Sequence, residues 1–353
     1  KQELPAWVEK FNKQGYVKSL LKGGWHTLWP IGSYTESTSD EQAYEKVFHH
    51  KNNAAFPYEF RKLSDEDQFN LFQETPFGNT IVAMLAHAAL EHEKLGKGDE
   101  TDFLAISFSS TDKIGHAFGP NSIEIEDTYL RLDQDIASLL HKLDAHMGKG
   151  NYTFFLTADH AASDVPQYLI NNKVPAGYYS TKNIVTKVNA RLGALFKIDG
   201  LVENMSNGQL FLDMDKIEAN QLNYNDVLEE SKRELYSLEG VFQVLLRNDL
   251  EKLEYTFDEK GMVQRGFHLK RSGDIVVLFN PSWTEDRKYG TEHGSGFSYD
   301  THVPLLWFGN NIPKGVSTQK YSITDIAPTI SMLLGIKFPN ACTGMPIEEL
   351  LKE

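Results

Sequence analysis

Residues 102–116 read DFLAISFSSTDKIGH, and this stretch passes from an apolar run into a short polar segment. The apolar run, residues 103–108, is rich in strand formers and predicts a buried strand. Asp112 and His116 follow it, separated by one turn of a helix. Such a spacing brings a carboxylate and an imidazole to one face if the chain makes a helical turn after the strand. The stretch therefore predicts a strand followed by two potential metal ligands.

Two other segments of the chain show the same arrangement. The sequence NYTFFLTADH predicts a strand over residues 152–156, directly before Asp159 and His160. His293 lies in a glycine-rich loop that precedes a third apolar run, residues 303–308. Carboxylate oxygen and imidazole nitrogen together suit zinc and other first-row divalent ions. Taken alone, each residue is more simply a capping aspartate or a hydrogen-bonded histidine, but their joint placement at the ends of three apolar runs indicates a metal site.

The order of predicted elements is typical of an α/β fold. Helical patterns over residues 79–95 and 121–147 alternate with the predicted strands. The second helix connects strand 103–108 to strand 152–156, which predicts a β-α-β unit with a parallel sheet and a right-handed crossover. In such sheets ligands gather beyond the carboxyl ends of the strands, where Asp112 and Asp159 are placed.

The chain divides into three predicted parts. Residues 1–175 form the first part of the α/β domain. Residues 176–271 contain two short predicted strands, GQLFLDMD and GVFQVLLRNDL, and an acidic helical segment, VLEESKRELYSL, without any candidate ligand. This part is predicted to be an inserted α+β region that caps or flanks the site. Residues 272–353 return to the main domain, with strand 274–279 predicted to rejoin the main sheet.

Composition limits the classes of function. The chain has 353 residues, 41% of them hydrophobic. It has no apolar stretch long enough to span a membrane. The formal charge of −14 disfavours a surface that binds nucleic acid by neutralising phosphates. Because Cys342 is the single cysteine, neither an internal disulfide nor a cysteine-based zinc site can form within one chain.

Three long motifs resemble segments of the alkaline phosphatase superfamily. They are SFSSTDKIGHAFGPNSIEIEDTYLRLDQDIASLL, FLTADH and GTEHGSGFSYDTHVPLLWFG. The resemblance extends over nearly the whole chain. It is nearest to the bacterial phosphate-irrepressible alkaline phosphatases within the type I phosphodiesterase and nucleotide pyrophosphatase group. It implies an α/β/α sandwich with a mainly parallel central sheet and an inserted α+β region.

The same resemblance implies a ligand set for zinc. In the family one zinc is held by the residues that match Asp112, His116 and His293. A second zinc is held in part by the residues that match Asp159 and His160. Two ions are therefore expected in the full-length family, whereas this chain holds a complete set of three ligands for only one.

The activity that the resemblance implies is zinc-dependent hydrolysis of phosphate monoesters through a phospho-enzyme. The family's Thr or Ser nucleophile, one zinc-binding Asp and the phosphate-holding Asn, Lys and Arg have no match in residues 1–111. The chain is thus expected to be the carboxyl-terminal part of such an enzyme, with the nucleophile upstream of Lys1 and no catalytic residue identified within it. Two alternatives stay open, namely a nucleotide pyrophosphatase or phosphodiesterase and an inactive metal-binding fragment.

Composition and the same resemblance together predict the partners and the location. The expected partner is a phosphate ester substrate, and the chain is expected to be a monomer without a nucleic-acid surface or a membrane span. A periplasmic or secreted location is expected, although no signal peptide is visible at Lys1.

Overall fold

The computed structural model describes residues 3–48 and 50–351. The helices of the first half are α1 (Ala6–Asn12), α2 (Tyr16–Leu21), α3 (Asp65–Phe72), α4 (Phe77–His92), α5 (Ser110–Phe118), α6 (Ile123–Met147) and α7 (Pro166–Asn171). The later helices are α8 (Thr181–Phe196), α9 (Met214–Ala219), α10 (Tyr224–Tyr236), α11 (Arg247–Lys252), α12 (Asp258–Gly266), α13 (Ser298–Thr301) and α14 (Ile326–Leu333). The strands are β1 (Thr153–Thr157), β2 (Gly177–Tyr179), β3 (Val202–Ser206), β4 (Gln209–Leu212), β5 (Val241–Leu246), β6 (Ile275–Phe279), β7 (Trp283–Glu285) and β8 (Leu305–Gly309).

Helix α6 shows how the local sequence sets the elements. Its predicted range, 121–147, is confirmed with a start at Ile123. Ser122 caps the helix, because its hydroxyl accepts a hydrogen bond from the Ile125 backbone N–H at 3.2 Å. Gly148, with φ of +83°, ends the helix in a conformation that glycine adopts without strain.

The strands form three small sheets in the described part of the chain. β1 pairs antiparallel with β8, and β2 pairs parallel with β7. The third sheet has the order β3-β4-β6-β5 and is antiparallel throughout. Among the residues that the structure describes, β2 and β7 thus form the one parallel pair of strands.

The strand predicted over residues 103–108 is wrong. The structure shows no hydrogen-bonded strand there. Phe103 is 60% exposed, and its ring lies 6.4 Å from the ring of Phe155 on β1. The segment therefore lies beside β1, but in the described residues it pairs with no neighbouring strand. An apolar run becomes a strand only where a neighbouring strand forms hydrogen bonds with its backbone N–H and C=O groups.

Two predictions about the sheets are wrong because the strands pair with other partners than expected. The parallel β-α-β unit is wrong, because β1 pairs with the late strand β8 and not with residues 103–108. Strand 274–279 exists as β6, but it lies between β4 and β5 and so belongs to the sheet of the predicted insertion. Hydrophobic periodicity predicts that a strand forms, and it carries little information on the strand's neighbours.

The two largest hydrophobic clusters of the described residues lie in different parts of the fold. One lies beneath α5 and includes Trp25, Tyr58, Ile114 and Phe118, all at most 1% exposed. The other lies between the four-stranded sheet and helices α8 and α10. Among the described residues, no helix is both long enough and apolar enough to cross a membrane.

Candidate metal centre

Helix α5 presents the first two candidate ligands. Its buried side chains, Ile114, Ala117 and Phe118, face the core beneath it. Asp112 and His116 stand one turn apart on the opposite face. The Asp112 Oδ1 atom lies 3.3 Å from the His116 Nε2 atom, and the two side chains are 33% and 20% exposed. The helical turn anticipated from their spacing is confirmed.

A buried asparagine holds the first turn of α5 in place. Asn79, 1% exposed, accepts a hydrogen bond from the Ser110 backbone N–H at 3.2 Å and donates one to the Thr111 hydroxyl at 3.0 Å. These bonds satisfy an N–H group that the helix itself leaves without a partner. Sequence reasoning missed Asn79, because no local pattern connects it to a helix 31 residues away.

The loop that carries His293 packs directly on α5. The His293 Nε2 atom lies 3.4 Å from the Asp112 Oδ1 atom. Gly290 lies against the His116 backbone carbonyl so closely that an added Cβ would overlap it. The φ of Gly290 is +67°, which only glycine adopts readily. The close approach of this glycine thus sets the position of the loop relative to the helix.

Asp300 orders the same loop. It is 3% exposed, and its Oδ2 atom accepts hydrogen bonds from the Gly294 N–H, the Ser295 N–H and the Ser295 hydroxyl at 3.1, 2.7 and 2.6 Å. A carboxylate with several such donors fixes the backbone that follows His293. These hydrogen bonds give Asp300 a role in ordering the loop that carries His293.

Asp159 and His160 approach the centre from the end of β1. The His160 Nε2 atom lies 3.9 Å from the Asp112 Oδ1 atom and 3.7 Å from the Asp159 Oδ2 atom. The His160 ring stacks on the His293 ring, with centroids 3.4 Å apart. The Asp159 side chain is 89% exposed, in contrast to the other four. The structure thus brings all five candidates together, with Asp159 at the outer edge.

The hydrogen bonds of two histidines direct their free nitrogen inward. The His116 Nδ1 atom lies 2.8 Å from the Thr291 carbonyl oxygen, and the His160 Nδ1 atom lies 2.9 Å from the Ala161 carbonyl oxygen. A carbonyl only accepts, so each Nδ1 must carry the proton. The lone pair is then on Nε2, which in both rings is the atom nearer to Asp112. This arrangement is the one that metal-binding histidines adopt.

The environment also favours neutral imidazole at His293. Partial burial lowers the pKa of His293, and the nearby rings of His160 and His116 lower it further, whereas Asp112 acts in the opposite sense. A metal ligand must be the neutral ring, so this shift prepares His293 to coordinate.

Asp112, His116 and His293 have a geometry that fits a tetrahedral ion. Their donor atoms all lie within 4.8 Å of one another. Ligands at about 2.0–2.1 Å from a tetrahedral ion are separated by about 3.3 Å. The distances from Asp112 to the two histidines, 3.3 and 3.4 Å, match that separation. The residues present therefore fit a zinc-type ion with little rearrangement.

Glu292 and Arg287 are neighbours of the centre that sequence reasoning missed. The Glu292 Oε2 atom lies 3.6 Å from the His116 Nδ1 atom, and its other oxygen forms an ion pair with Arg287. Glu292 precedes His293, but nothing in the local sequence distinguishes it from an ordinary loop carboxylate.

One family model and several known proteins match this chain. The family model described as type I phosphodiesterase / nucleotide pyrophosphatase matches residues 4–303. A protein of Myroides odoratus named calcium-transporting ATPase is 41% identical over 356 residues, which cover 100% of this chain and 65% of that protein. Alkaline phosphatase PafA of Elizabethkingia meningoseptica is 39% identical over 351 residues, which cover 99% of this chain and 64% of that protein. The chain thus spans less than two thirds of the length of these two relatives.

A solved structure confirms the fold class. The crystal structure of wild-type alkaline phosphatase PafA matches with a TM-score of 0.95 at 39% identity, over 100% of this chain and 67% of that chain. The α/β fold expected from the sequence is therefore confirmed.

Proposed function

This chain belongs to the type I phosphodiesterase / nucleotide pyrophosphatase family, and we propose that it forms the metal-binding part of an alkaline phosphatase that hydrolyses phosphate monoesters. The likeness to the alkaline phosphatase PafA supports hydrolysis of phosphate monoesters rather than diesters as the proposed activity. The single observation that carries the proposal is the convergence of two imidazole nitrogens on one carboxylate oxygen at tetrahedral spacing.

Zinc is the proposed ion at Asp112, His116 and His293. One carboxylate and two neutral imidazoles suit a borderline divalent ion, and three protein ligands leave one position open. A divalent ion held there would stabilise negative charge on the phosphoryl oxygens as a Lewis acid. The Thr291 carbonyl fixes the His116 tautomer, and Asp300 holds the His293 loop.

Asp159 and His160 are proposed as part of a second metal position. Support comes from the His160 Nε2 atom, which lies within 4 Å of both Asp159 and Asp112. Because these residues offer one imidazole and one exposed carboxylate, they do not complete a site by themselves. Further ligands are proposed to lie outside the 353 residues.

The nucleophile is also proposed to lie outside these residues. Ser110 and Thr111 are the hydroxyl residues nearest to Asp112 along the chain. Ser110 is 6% exposed, and the Thr111 oxygen accepts a hydrogen bond from Asn79. The burial of Ser110 and the hydrogen bond at Thr111 support a nucleophile outside these residues.

We further propose the three-part division at residues 1–175, 176–271 and 272–353, with a monomeric state and a periplasmic or secreted location. The division follows the change in sequence character at these residues, and the location follows the family resemblance. The sheet of the 176–271 part also includes β6, which comes from residues 275–279 and pairs with β4 and β5.

The test is turnover of p-nitrophenyl phosphate at alkaline pH with excess zinc. In a protein of the relatives' full length that contains this chain, His116→Ala should lower kcat/KM by more than about 100-fold, since even outer-shell partners of metal ligands contribute 10- to 100-fold. His302→Ala is the matched control, because His302 is exposed and outside the ligand cluster. Equal activity of both variants would contradict the proposal.

The 353 residues alone should turn over the same substrate poorly. When catalytic groups act as a unit, the loss of any one of them removes most of the rate enhancement. Full turnover that is abolished by Ser110→Ala or Thr111→Ala would instead assign the nucleophile to this chain. Absence of turnover in the longer protein as well, with zinc bound, would favour an inactive metal-binding protein.

A further inference from the structure

A cavity of about 720 Å³ lies directly beside the metal centre. Its walls come from the four-stranded sheet, helix α12 and the loop that carries the metal ligand, and both Glu292 and His293 line it. Cavities of roughly 300–1,000 Å³ are the usual size of small-molecule sites. A group bound in the cavity would therefore be next to an ion held by His293.

The cavity wall is rich in aromatic rings. They are Tyr179, Phe267, Phe279, Trp283, Phe297 and Tyr299. Tyr179 and Phe279 stack face to face, with ring centroids 3.7 Å apart. Rings of this kind provide apolar contact area and favour stacking with a planar partner.

Two of these rings are fixed by their surroundings. The Trp283 ring packs on the backbone of Gly177 and Gly240, where a Cβ at either position would overlap it. The Tyr299 hydroxyl accepts a hydrogen bond from the Ser282 backbone N–H at 2.9 Å. The wall is therefore ordered before a ligand arrives, which lowers the entropic cost of binding.

The charges around the cavity decide which ligand it suits. Four of the lining residues are acidic, namely Glu259, Glu285, Glu292 and Asp300. Among the described residues of the lining, Arg287 is the one arginine or lysine, and it already forms an ion pair with Glu292. A second phosphate or another anion would thus meet a net negative surface. A neutral ring would meet apolar walls without that repulsion.

We propose that this cavity binds the organic group of the phosphate ester and selects a neutral aromatic group. The proposal rests on the proposed function, because it requires the phosphoryl group to be at the centre of Asp112, His116 and His293. It assigns a role in substrate recognition to α12 and the four-stranded sheet, which contribute no metal ligand.

Two phosphonates with the same headgroup test the cavity by calorimetry on the zinc-loaded chain. Phenylphosphonate should bind at least about tenfold more tightly than methylphosphonate, because burial of a ring the size of a Phe side chain is worth that much. Equal affinities would overturn the proposal. Methylenediphosphonate, which carries a second anionic group, should bind more weakly than phenylphosphonate, and the reverse order would also overturn it.

Variants with matched controls assign the preference to the cavity. Met262→Trp should narrow the cavity and Phe297→Ala should remove a ring, and each should bring the phenyl-to-methyl ratio towards one. The controls are Met214→Trp and Phe69→Ala, at residues 38% and 70% exposed that do not line the cavity. A ratio that stays at the parent value in both cavity variants would contradict the proposal.

His116→Ala separates failure of this inference from failure of the proposed function. It should weaken both phosphonates by the same factor and leave their ratio unchanged. If it weakens neither, the metal centre does not bind the headgroup and the proposed function fails. The ratio in the parent chain and in the cavity variants still decides whether the cavity binds the ring.

Discussion

The pair Asp112 and His116 and the pair Asp159 and His160 have the same chemistry in different settings. The first pair is on a helix, and its side chains are 33% and 20% exposed. The second pair follows the end of β1, where His160 is 25% exposed and Asp159 is 89% exposed. A helix with a buried face fixes both of its ligands together. A loop fixes only the residue that other groups contact.

The contacts around each pair explain the difference. Asn79 holds the first turn of α5, and the Thr291 carbonyl holds the His116 ring. After β1, a backbone hydrogen bond of 2.8 Å from Ala161 to Asp300 holds the loop, and the His293 ring stacks on His160. None of these contacts reaches the Asp159 carboxylate. The helical pair is therefore ready for a metal, whereas Asp159 depends on additional partners.

Removal of a helix-borne ligand should produce the largest effect. His116→Ala deletes one of three donors and should weaken zinc binding by more than about 100-fold. Competition with a zinc chelator measures the dissociation constant, with His302→Ala as the exposed control. A change of less than about tenfold in His116→Ala would mean that the helical pair is not the main site.

Displacement of the loop against the helix should have an intermediate effect. Gly290→Ala puts a methyl group into the His116 carbonyl at φ of +67°, so it should move both Thr291 and His293. Zinc affinity should fall by about 10- to 100-fold, as for other outer-shell changes.

Gly15→Ala is the matched control for the Gly290 prediction. It has a similar φ of +69° but nothing within 4 Å of the added Cβ. It should cost about 1–2 kcal/mol of stability through backbone strain alone and leave the zinc affinity unchanged. Equal zinc affinities in the two glycine variants would show that the contact between loop and helix does not position the ligands.

The exposed member of the second pair should have the smallest effect. Asp159→Ala should change the affinity for the first zinc equivalent by less than about tenfold, because among the described residues the hydrogen bond and the ion pair of this carboxylate are both with His160. Any loss should appear at the second equivalent in a calorimetric titration. A loss at the first equivalent as large as that of His116→Ala would remove the distinction between the two pairs.

Local patterns predict much of the fold. Helix α6 and strands β1, β4 and β5 lie where periodicity and β-branched or aromatic residues place them. The ligand pair on α5 follows from its spacing. In each case the information is contained within a few consecutive residues.

Pairing between distant segments is less predictable. Residues 103–108 have a strand pattern but no partner in the described chain, and β6 joins β4 and β5. Asn79 and Gly290 act on α5 from distant positions in the sequence. Their roles depend on packing, which no local pattern specifies.

The central claim is that Asp112, His116 and His293 hold a zinc ion, and X-ray absorption at the zinc edge tests it most directly. With one equivalent of zinc, the chain should show only nitrogen and oxygen neighbours at about 2.0–2.1 Å, including two imidazoles, and His116→Ala should lose one of them. A zinc–sulfur distance of about 2.3 Å, or a spectrum that His116→Ala leaves unchanged, would contradict the account.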